Sequence, residues 1–265
     1  MTDYLDKPIG EIPPGWAEAY DETSLWGARF GALLFDSLEV KPVRDGLDIG
    51  CATGFPLIEL AQIHGRSSNW TGIDIWTDAL RRAQRKIELL QIPNVSLQAV
   101  DAADMPFDDS SFDLITSNLG INNFDDPPAV MKECARVARR GARIALTTNV
   151  SGHMKEMYDV LREIAPDQRF AIDEQENHRG TVESLDALVR DGGFDVTRHV
   201  QREFTLAFVD GSAMLRHSLE KWFVDGWRGA IGSDRKLWSE IETRLNARSP
   251  LRFTVPMLYL EGIRP

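Results

Sequence analysis

Two acidic residues and a run of small residues have the types and the spacing of a ligand site. Asp48 is followed by Gly50 and Gly54, where a buried strand is expected to end in a small-residue turn and a helix to begin. Asp74 lies at the end of a second predicted strand, 70–74. Small residues let a ligand lie against the backbone, and a carboxylate can accept two hydrogen bonds from ribose hydroxyls. This order predicts an open α/β sheet that binds an adenosine-containing cofactor.

The chemistry of the turn distinguishes two cofactor classes that share this layout. Dinucleotide-binding turns need Gly-x-Gly-x-x-Gly to seat a pyrophosphate, but Ala52 and Phe55 occupy the second and third glycine positions here. Asp48 would repel a pyrophosphate, whereas S-adenosylmethionine carries a sulfonium and an ammonium group and no phosphate. The turn therefore favours S-adenosylmethionine, and an NAD-dependent oxidoreductase is the weaker alternative. We expect the turn to open slightly at Ala52 or to keep that residue at negative φ.

Further segments extend this pattern through the first half of the chain. They are residues 47–54, 72–75, 101–102, 105–107 and 111–120. With these segments, residues 45 to about 148 resemble a class I S-adenosylmethionine-dependent methyltransferase of the small-molecule and ubiquinone/menaquinone-type group. The resemblance implies that the first segment holds the methionine moiety, Asp74 the ribose and Asp101 the adenine amino edge.

The turn and the resemblance together give a set of predicted cofactor-binding residues. They are Tyr20, Asp48, Gly50, Cys51, Gly54, Asp74, Ile75, Asp101, Ala102, Asn118 and Leu119. Tyr20 resembles the N-terminal tyrosine that closes over the cofactor in this group. Either Ile75 or Trp76 can pack on the adenine face. The segment at Asn118 is implied to line the floor between cofactor and substrate.

Methyl transfer from a sulfonium is an in-line displacement that needs alignment more than acid or base catalysis. Asn122 and Asn123 follow the fourth strand, at the ligand-binding edge of such a sheet, and are predicted to hold a substrate carbonyl or hydroxyl. Trp222 is predicted to line an apolar substrate pocket, with a core position as its alternative. His153 follows the fifth strand and is the candidate general base, with a structural role as its alternative.

The predicted class of methyl acceptor depends on the absence of a sequence motif and on the net charge of the chain. Amino-methylating enzymes of this fold carry Asn/Asp-Pro-Pro-aromatic where this chain has Asn118-Leu119-Gly120-Ile121, which favours an oxygen or carbon of a small organic substrate. A net charge of −11 argues against nucleic acid as the main partner. A protein or RNA methyltransferase, and a non-catalytic S-adenosylmethionine-binding partner subunit, remain open alternatives.

Composition places the protein in a reducing compartment. It has two cysteines, no zinc-type Cys/His spacing, no apolar run long enough for a membrane span, and no signal-peptide core at its N-terminus. We therefore expect a cytoplasmic protein that needs no metal and acts on a small molecule. A homodimer is a possible assembly.

The predicted fold is a Rossmann-like, seven-stranded α/β sheet with an N-terminal helical arm and a helical cap before the last strand. We assign residues 1–40 to the arm, 41–204 and 251–265 to the S-adenosylmethionine-binding domain, and 205–250 to the cap, with the substrate between the sheet edge and the cap. Residues 166–180 are expected to be a polar stretch and 210–247 two helices. The cations of the predicted helix 77–90 are expected to form a solvated face.

Overall fold

The chain forms two compact units. The computed structural model describes residues 3–6, 9–217 and 220–265, apart from the side chains of 22–24 and 220–222. The sheet unit comprises Pro14–Thr148, Thr181–Arg202 and Met257–Pro265. The helical unit comprises Met1–Pro13, Asn149–Gly180 and Glu203–Pro256. The division into arm, cofactor domain and cap stays a prediction.

In the described part of the chain, seven strands form one sheet, which confirms the predicted fold class. The strands are β1 (Asp45–Ile49), β2 (Asn69–Asp74), β3 (Val95–Ala99), β4 (Phe112–Asn118), β5 (Ala138–Asn149), β6 (Asp195–Phe208) and β7 (Leu251–Ile263). Their order is β3-β2-β1-β4-β5-β7-β6. The first five strands pair parallel to one another, so their carboxyl ends share one edge of the sheet. Ligands bind at that edge in open α/β sheets.

The helices lie largely where the sequence predicts them. They are α1 (Trp16–Ala19), α2 (Ser24–Ser37), α3 (Leu57–His64), α4 (Thr77–Leu89), α5 (Pro127–Val137), α6 (Lys155–Ile164), α7 (Arg169–Asn177), α8 (Val182–Asp191), α9 (Gly211–Leu215), α10 (Glu220–Ile231) and α11 (Arg235–Ala247). One expectation is wrong, because 210–247 contains α9 in addition to two longer helices. The polar stretch 166–180 contains α7, a helix that the sequence did not predict. Only Ile172 of α7 is buried, so an apolar period is missing there.

Local signals in the sequence fix the starts of several helices. Thr181 and Ser184 form a reciprocal capping box at the start of α8. Asp126 accepts a hydrogen bond from the N–H of Ala129, and Pro127 opens α5 where a missing N–H is harmless. These caps orient the helices that cover the sheet.

The central strands are buried on both faces, as in other parallel sheets. Leu47 and Ile49 of β1, and Leu114 and Ile115 of β4, are fully buried. The rigid core therefore holds the carboxyl ends of β1 and β4 in place. Within the described ranges, no helix combines the length and apolar character that crossing a bilayer needs.

Candidate functional site

The turn after β1 takes left-handed backbone at alternate residues. The φ angles are 69° at Gly50, 43° at Ala52 and 95° at Gly54. Of the two alternatives expected for Ala52, an opened turn or a negative φ, the negative φ is therefore wrong. The Ala52 N–H donates a 2.8 Å hydrogen bond to Asp74 Oδ2, which holds the residue in that conformation against its steric cost.

Backbone hydrogen bonds fasten the turn to β2. The N–H groups of Gly50 and Cys51 both donate to the Ile73 carbonyl, at 2.9 and 3.1 Å, and Gly54 N–H donates to the Cys51 carbonyl at 2.8 Å. The Cys51 thiol is buried beside Gly72, and burial raises its pKa. Because its thiol, N–H and carbonyl all serve the fold, the structure argues against Cys51 as a ligand contact.

Asp48 is a buried carboxylate with an incomplete set of partners. Its Oδ1 accepts a 2.7 Å hydrogen bond from Thr116 Oγ1, but its buried Oδ2 has no hydrogen-bond partner among the described residues. The residue is 1% exposed. Burial, together with the smaller effect of the Asp74 charge, raises the pKa of Asp48 to about 7, against the bond from Thr116. A cation beside Oδ2 would offset both effects.

Asp74 lies at the end of β2, and each of its carboxylate oxygens can accept a further hydrogen bond. Its Oδ2 accepts from Ala52 and its Oδ1 accepts from the Trp76 N–H at 2.8 Å. Each carboxylate oxygen can accept a second hydrogen bond, so the group can still bind a diol. Next to it, Ile75 is 73% exposed, whereas Trp76 packs edge-on against Tyr20 with ring centroids 5.3 Å apart. Ile75 is therefore the better candidate for the adenine face.

The segment before α2 is tied to the turn. Burial and two nearby carboxylates raise the pKa of Tyr20. Asp21 accepts a 2.7 Å hydrogen bond from Thr53 Oγ1 and pairs with Lys86 at 3.0 Å and Arg82 at 3.3 Å. The expectation that the cations of α4 form only a solvated face is wrong, because these two bind Asp21. This placement brings Tyr20 to the side of Asp74 and Trp76.

Asn118 and Leu119 shape the end of β4. The Asn118 carboxamide accepts from Thr147 Oγ1 at 2.7 Å and donates to the Gly27 carbonyl at 3.3 Å. Leu119 has a left-handed φ of 69°, and its N–H donates to the Thr147 carbonyl at 2.8 Å. The Asn118 side chain therefore positions α2, and any ligand contact would use its remaining capacity.

Asp101 and Ala102 follow β3 on the same edge. The Val100 N–H donates to the Asp74 carbonyl at 3.2 Å, which brings this segment beside β2. Asp101 is exposed, and its Oδ1 accepts from the Ala103 N–H at 2.9 Å. Ala102 is buried, so its side chain belongs to the core and Asp101 is the residue that faces outward.

The two predicted substrate asparagines differ in exposure. Asn122 Nδ2 donates to Thr148 Oγ1, whereas Asn123 is exposed and its Nδ2 donates to the Leu119 carbonyl at 2.9 Å. Both follow β4 on the carboxyl edge of the sheet unit. The described residues contain no group of three or more His, Cys, Asp or Glu that could hold a metal ion.

His153 and Trp222 belong to the helical unit. His153 is 1% exposed, and its burial, together with the smaller effects of Arg179 and His178, lowers its pKa to about 3. Such an imidazole is neutral at pH 7 and a weak base, which argues against general-base catalysis by His153. The side chain of Trp222 lies outside the described residues, and its role in the substrate site stays a prediction.

Sequence reasoning missed Thr116, Thr53 and Asp21. Thr116 lies opposite Asp48 in the register of β4 against β1, which the sequence does not state. Thr53 lies inside the recognised turn, but its partner Asp21 is 32 residues away. The available signal was the polar Thr116 directly after the apolar pair Leu114-Ile115 in β4.

Comparison with known proteins decides the family. Residues 45–193, more than half of the chain, match the family model described as a methyltransferase domain. The chain belongs to this methyltransferase family. A demethylmenaquinone methyltransferase of Bacillus cereus is 34% identical over 107 residues, covering 40% of this chain and 45% of that protein. The chain thus spans less than half the length of the curated relatives that it matches.

Solved structures share the fold at low identity. A putative methyltransferase from Bacillus halodurans superposes with a TM-score of 0.62 at 18% identity, covering 89% of this chain and 98% of the other. An S-adenosylmethionine-dependent methyltransferase from Aquifex aeolicus gives 0.57 at 14%, covering 94% and 99%. The predicted class I S-adenosylmethionine-dependent methyltransferase family, with S-adenosylmethionine as its cofactor, is confirmed. The individual site residues stay predictions.

Proposed function

We propose that the protein transfers the methyl group of S-adenosylmethionine to an oxygen or carbon atom of a small organic molecule. The observation that carries this proposal is Asp48 Oδ2, a buried oxygen without a hydrogen-bond partner in the described part of the chain. A buried carboxylate is costly unless it is paired. The cationic end of S-adenosylmethionine, unlike a pyrophosphate, would supply that pair.

The residues of the carboxyl edge fit the remaining parts of the cofactor. Asp74 would hold the ribose hydroxyls, Ile75 the adenine face and Asp101 the adenine amino group. When bound, the cofactor supplies an electrophilic methyl group on a sulfonium. The chain would bind and orient both reactants and exclude water, which in well-aligned systems is equivalent to an effective concentration of about 10⁵–10⁸ M.

The candidate substrate residues favour an acceptor that ionises readily. Asn122 and Asn123 can position a hydroxyl or carbonyl but cannot remove a proton. His153 is a poor base because burial lowers its pKa to about 3. Phenols, enols and hydroquinols lose a proton with little help, and the name of the Bacillus cereus relative supports a quinol-like ring as the first class to test.

The alternative functions would require different features of the chain. A non-catalytic S-adenosylmethionine-binding partner subunit would keep the cofactor site but would turn over no substrate. A protein or RNA methyltransferase would need a basic groove, which the net charge of −11 disfavours. A cytoplasmic location and a homodimer remain part of the proposal.

Calorimetric titration with S-adenosylhomocysteine tests the cofactor site. We expect Asp74→Ala to weaken binding at least about 100-fold, because two hydrogen bonds to a charged acceptor are lost. Asp78→Ala is the matched control, since Asp78 lies on the exposed first turn of α4. Equal binding by all three proteins, or no binding by wild type at millimolar ligand, would contradict the proposal.

Methyl transfer itself is tested with labelled S-adenosylmethionine and a panel of phenols and hydroquinols. We expect label in an O- or C-methylated product. Cofactor binding without turnover of any panel member would favour the partner-subunit alternative. Label in RNA or protein would favour the macromolecular alternative.

A further inference from the structure

Thr116 places a buried hydroxyl group beside Asp48 in the centre of the sheet. It lies opposite Asp48 in the register of β4 against β1, and neither side chain is more than 1% exposed. The Thr116 Oγ1 atom lies 2.7 Å from Asp48 Oδ1 and 3.4 Å from the Leu47 carbonyl oxygen. Because O–H···O hydrogen bonds are about 2.5–3.0 Å long, the carboxylate is the better acceptor of the two.

This hydroxyl is important because the fold gives Asp48 little else. Asp48 Oδ2 is buried without a hydrogen-bond partner among the described residues. A hydroxyl that donates to a carboxylate forms a charge-assisted hydrogen bond, which is about twice as strong as one between neutral groups. The low dielectric of a buried site strengthens it. The bond from Thr116 therefore favours the ionised form of Asp48, which is the form that attracts a cation.

The other groups around Asp48 oppose its ionisation or do not change its charge. Burial raises its pKa, and so does the charge of Asp74 at the end of β2. Cys51 in the turn is a neutral thiol, because burial and the charges of both carboxylates raise its pKa. The other ionisable side chains of β1 and β4 are Asp45 and Asp113, which lie near the amino ends of these strands and share an arginine there.

The next residue of β4 provides a matched contrast. Ser117 is also 1% exposed, and its hydroxyl also donates to β1, but its acceptor is the Ile49 carbonyl at 2.8 Å. Successive side chains of a strand point to opposite faces, so the hydroxyls of Thr116 and Ser117 lie on opposite faces of the sheet. Each bonds to one oxygen of β1, but only the acceptor of Thr116 can change its charge.

We propose that Thr116 is a positioning residue for the cofactor, which occupies Asp48 Oδ1 and leaves Oδ2 to the ammonium group of the methionine moiety. This inference rests on the proposed function, because it concerns the same cofactor. When Asp48 is a carboxylate, the Thr116 hydroxyl donates to it. When Asp48 is protonated, the hydroxyl can accept a hydrogen bond from the carboxyl group and donate to the Leu47 carbonyl instead. Thr116 thus acts on the ligand through Asp48.

Calorimetry with S-adenosylhomocysteine between pH 6 and pH 9 tests this role in wild type, Thr116→Val and Thr116→Ser. Valine has nearly the size of threonine but no hydroxyl, so ionisation of Asp48 should require a pH at least about one unit higher. Binding by Thr116→Val should then be at least about fivefold weaker than wild type at pH 7 and within about twofold of it at pH 9. Thr116→Ser keeps the hydroxyl and should follow the wild-type profile. Titration of the ligand is common to all proteins and cancels in these ratios.

Ser117→Ala is the matched control, because it removes an equally buried hydroxyl that donates to β1. It should lose stability but keep the wild-type pH profile. A Thr116→Val protein with the wild-type profile, or with affinity reduced by one factor at every pH, overturns the inference. In that case S-adenosylhomocysteine still binds and the cofactor proposal stands. If the ligand does not bind wild type, the proposed function fails together with this inference.

A second measurement uses ligand-free wild type, so it does not depend on whether the variants fold. NMR should show the Thr116 hydroxyl proton, protected from exchange by burial, changing its chemical shift over the same pH range as the Asp48 carboxyl carbon. A hydroxyl signal that stays constant while the carboxyl carbon titrates would mean that the group donates to the Leu47 carbonyl at every pH. That result would also overturn the inference.

Discussion

The carboxylates at the two ends of β1 differ in their hydrogen-bond partners and in the direction of their pKa shifts. Asp45, at the amino end, accepts hydrogen bonds from Arg139 at 2.9 Å and Asn69 at 3.1 Å. Burial opposes its ionisation, but the bonds from Asn69 and Arg139 outweigh burial and lower the pKa of Asp45. Asp48, three residues later, is buried with one oxygen unpaired, and its pKa is raised to about 7.

Strand β4 repeats this contrast next to β1. Asp113, near its amino end, accepts from Arg139 at 2.8 Å and from the backbone N–H groups of Arg44 and Asp45 at 3.0 Å. Thr116, further along, provides Asp48 with a single hydrogen bond. The carboxylates at the amino edge are thus paired in ways that stabilise the fold. At the carboxyl edge, Asp48 Oδ2 has no hydrogen-bond partner among the described residues, and a ligand can supply one. Such a trade of stability for function is common at active sites.

The largest effect that would separate the two ends is expected from Asp48→Asn. The amide keeps the size of the side chain and can still accept from Thr116, but it removes a buried ionisable group. We expect the variant to gain up to about 4 kcal/mol in free energy of unfolding at pH 8, together with a large loss of S-adenosylhomocysteine affinity. Urea unfolding and calorimetry measure the two quantities.

The sign of this effect depends on pH. Below the ordinary pKa of 3.8 both folded and unfolded states are protonated, so Asp48→Asn should resemble wild type in stability. Between that value and about 7, only the unfolded state ionises, and wild type should lose stability relative to the variant. A variant less stable than wild type at pH 8 would mean that Asp48 is satisfied by the fold and that the comparison is mistaken.

The opposite outcome is expected for Arg139→Ala at the amino edge. The change leaves Asp45 and Asp113 without their shared cation and should cost about 2 kcal/mol of stability. Cofactor affinity should be unchanged. Arg140→Ala is the control, because the neighbouring Arg140 is exposed. A large loss of S-adenosylhomocysteine affinity in Arg139→Ala would remove the distinction between the two edges.

Cofactor binding should be linked to the ionisation of Asp48. If the ligand binds only the carboxylate form, affinity for S-adenosylhomocysteine should be about tenfold weaker at pH 6 than at pH 8, given the pKa of about 7. Binding near pH 7 should also release a proton. Calorimetry in buffers of different ionisation enthalpy measures this release, and Asp48→Asn should abolish it. If the affinity of wild type for S-adenosylhomocysteine does not change with pH, the cationic group of the ligand does not bind beside Asp48.

The smallest expected effect concerns the left-handed backbone at Ala52. Ala52→Gly removes the clash of a Cβ at a φ of 43° and should add about 0.5–1 kcal/mol of stability. Gln91→Gly, at a φ of 53° after α4, is the comparison. Thermal unfolding measures both, and a destabilised Ala52→Gly would show that the methyl group contributes packing.

Much of the carboxyl edge could be predicted because its signals are local. A buried strand, a small turn and an acid at the next strand end identify Asp48, Gly50 and Asp74 from sequence alone. The capping box at Thr181 likewise lies within four consecutive residues. Helix α7 escaped prediction because it buries a single residue, and α9 because it is only five residues long.

The remaining features depend on contacts between distant parts of the chain. The pairing of Asp21 with Thr53 and Lys86 requires the segment before α2 to fold back onto α4. That Asp48 Oδ2 lacks a hydrogen-bond partner among the described residues can be recognised only when the register of β1 against Thr116 of β4 is known. The weak basicity of His153 follows from its burial, which the isolated motif does not encode.

The turn after β1 has one more consequence, which concerns entropy. Three residues with positive φ suggest a pliable loop, yet four of its N–H groups are hydrogen-bonded and the ring of Phe55 fills the space beside Gly31 of α2. Such a loop has little freedom left to lose when a ligand arrives. Association at this edge should therefore have a small conformational cost, with affinity set mainly by contacts and desolvation.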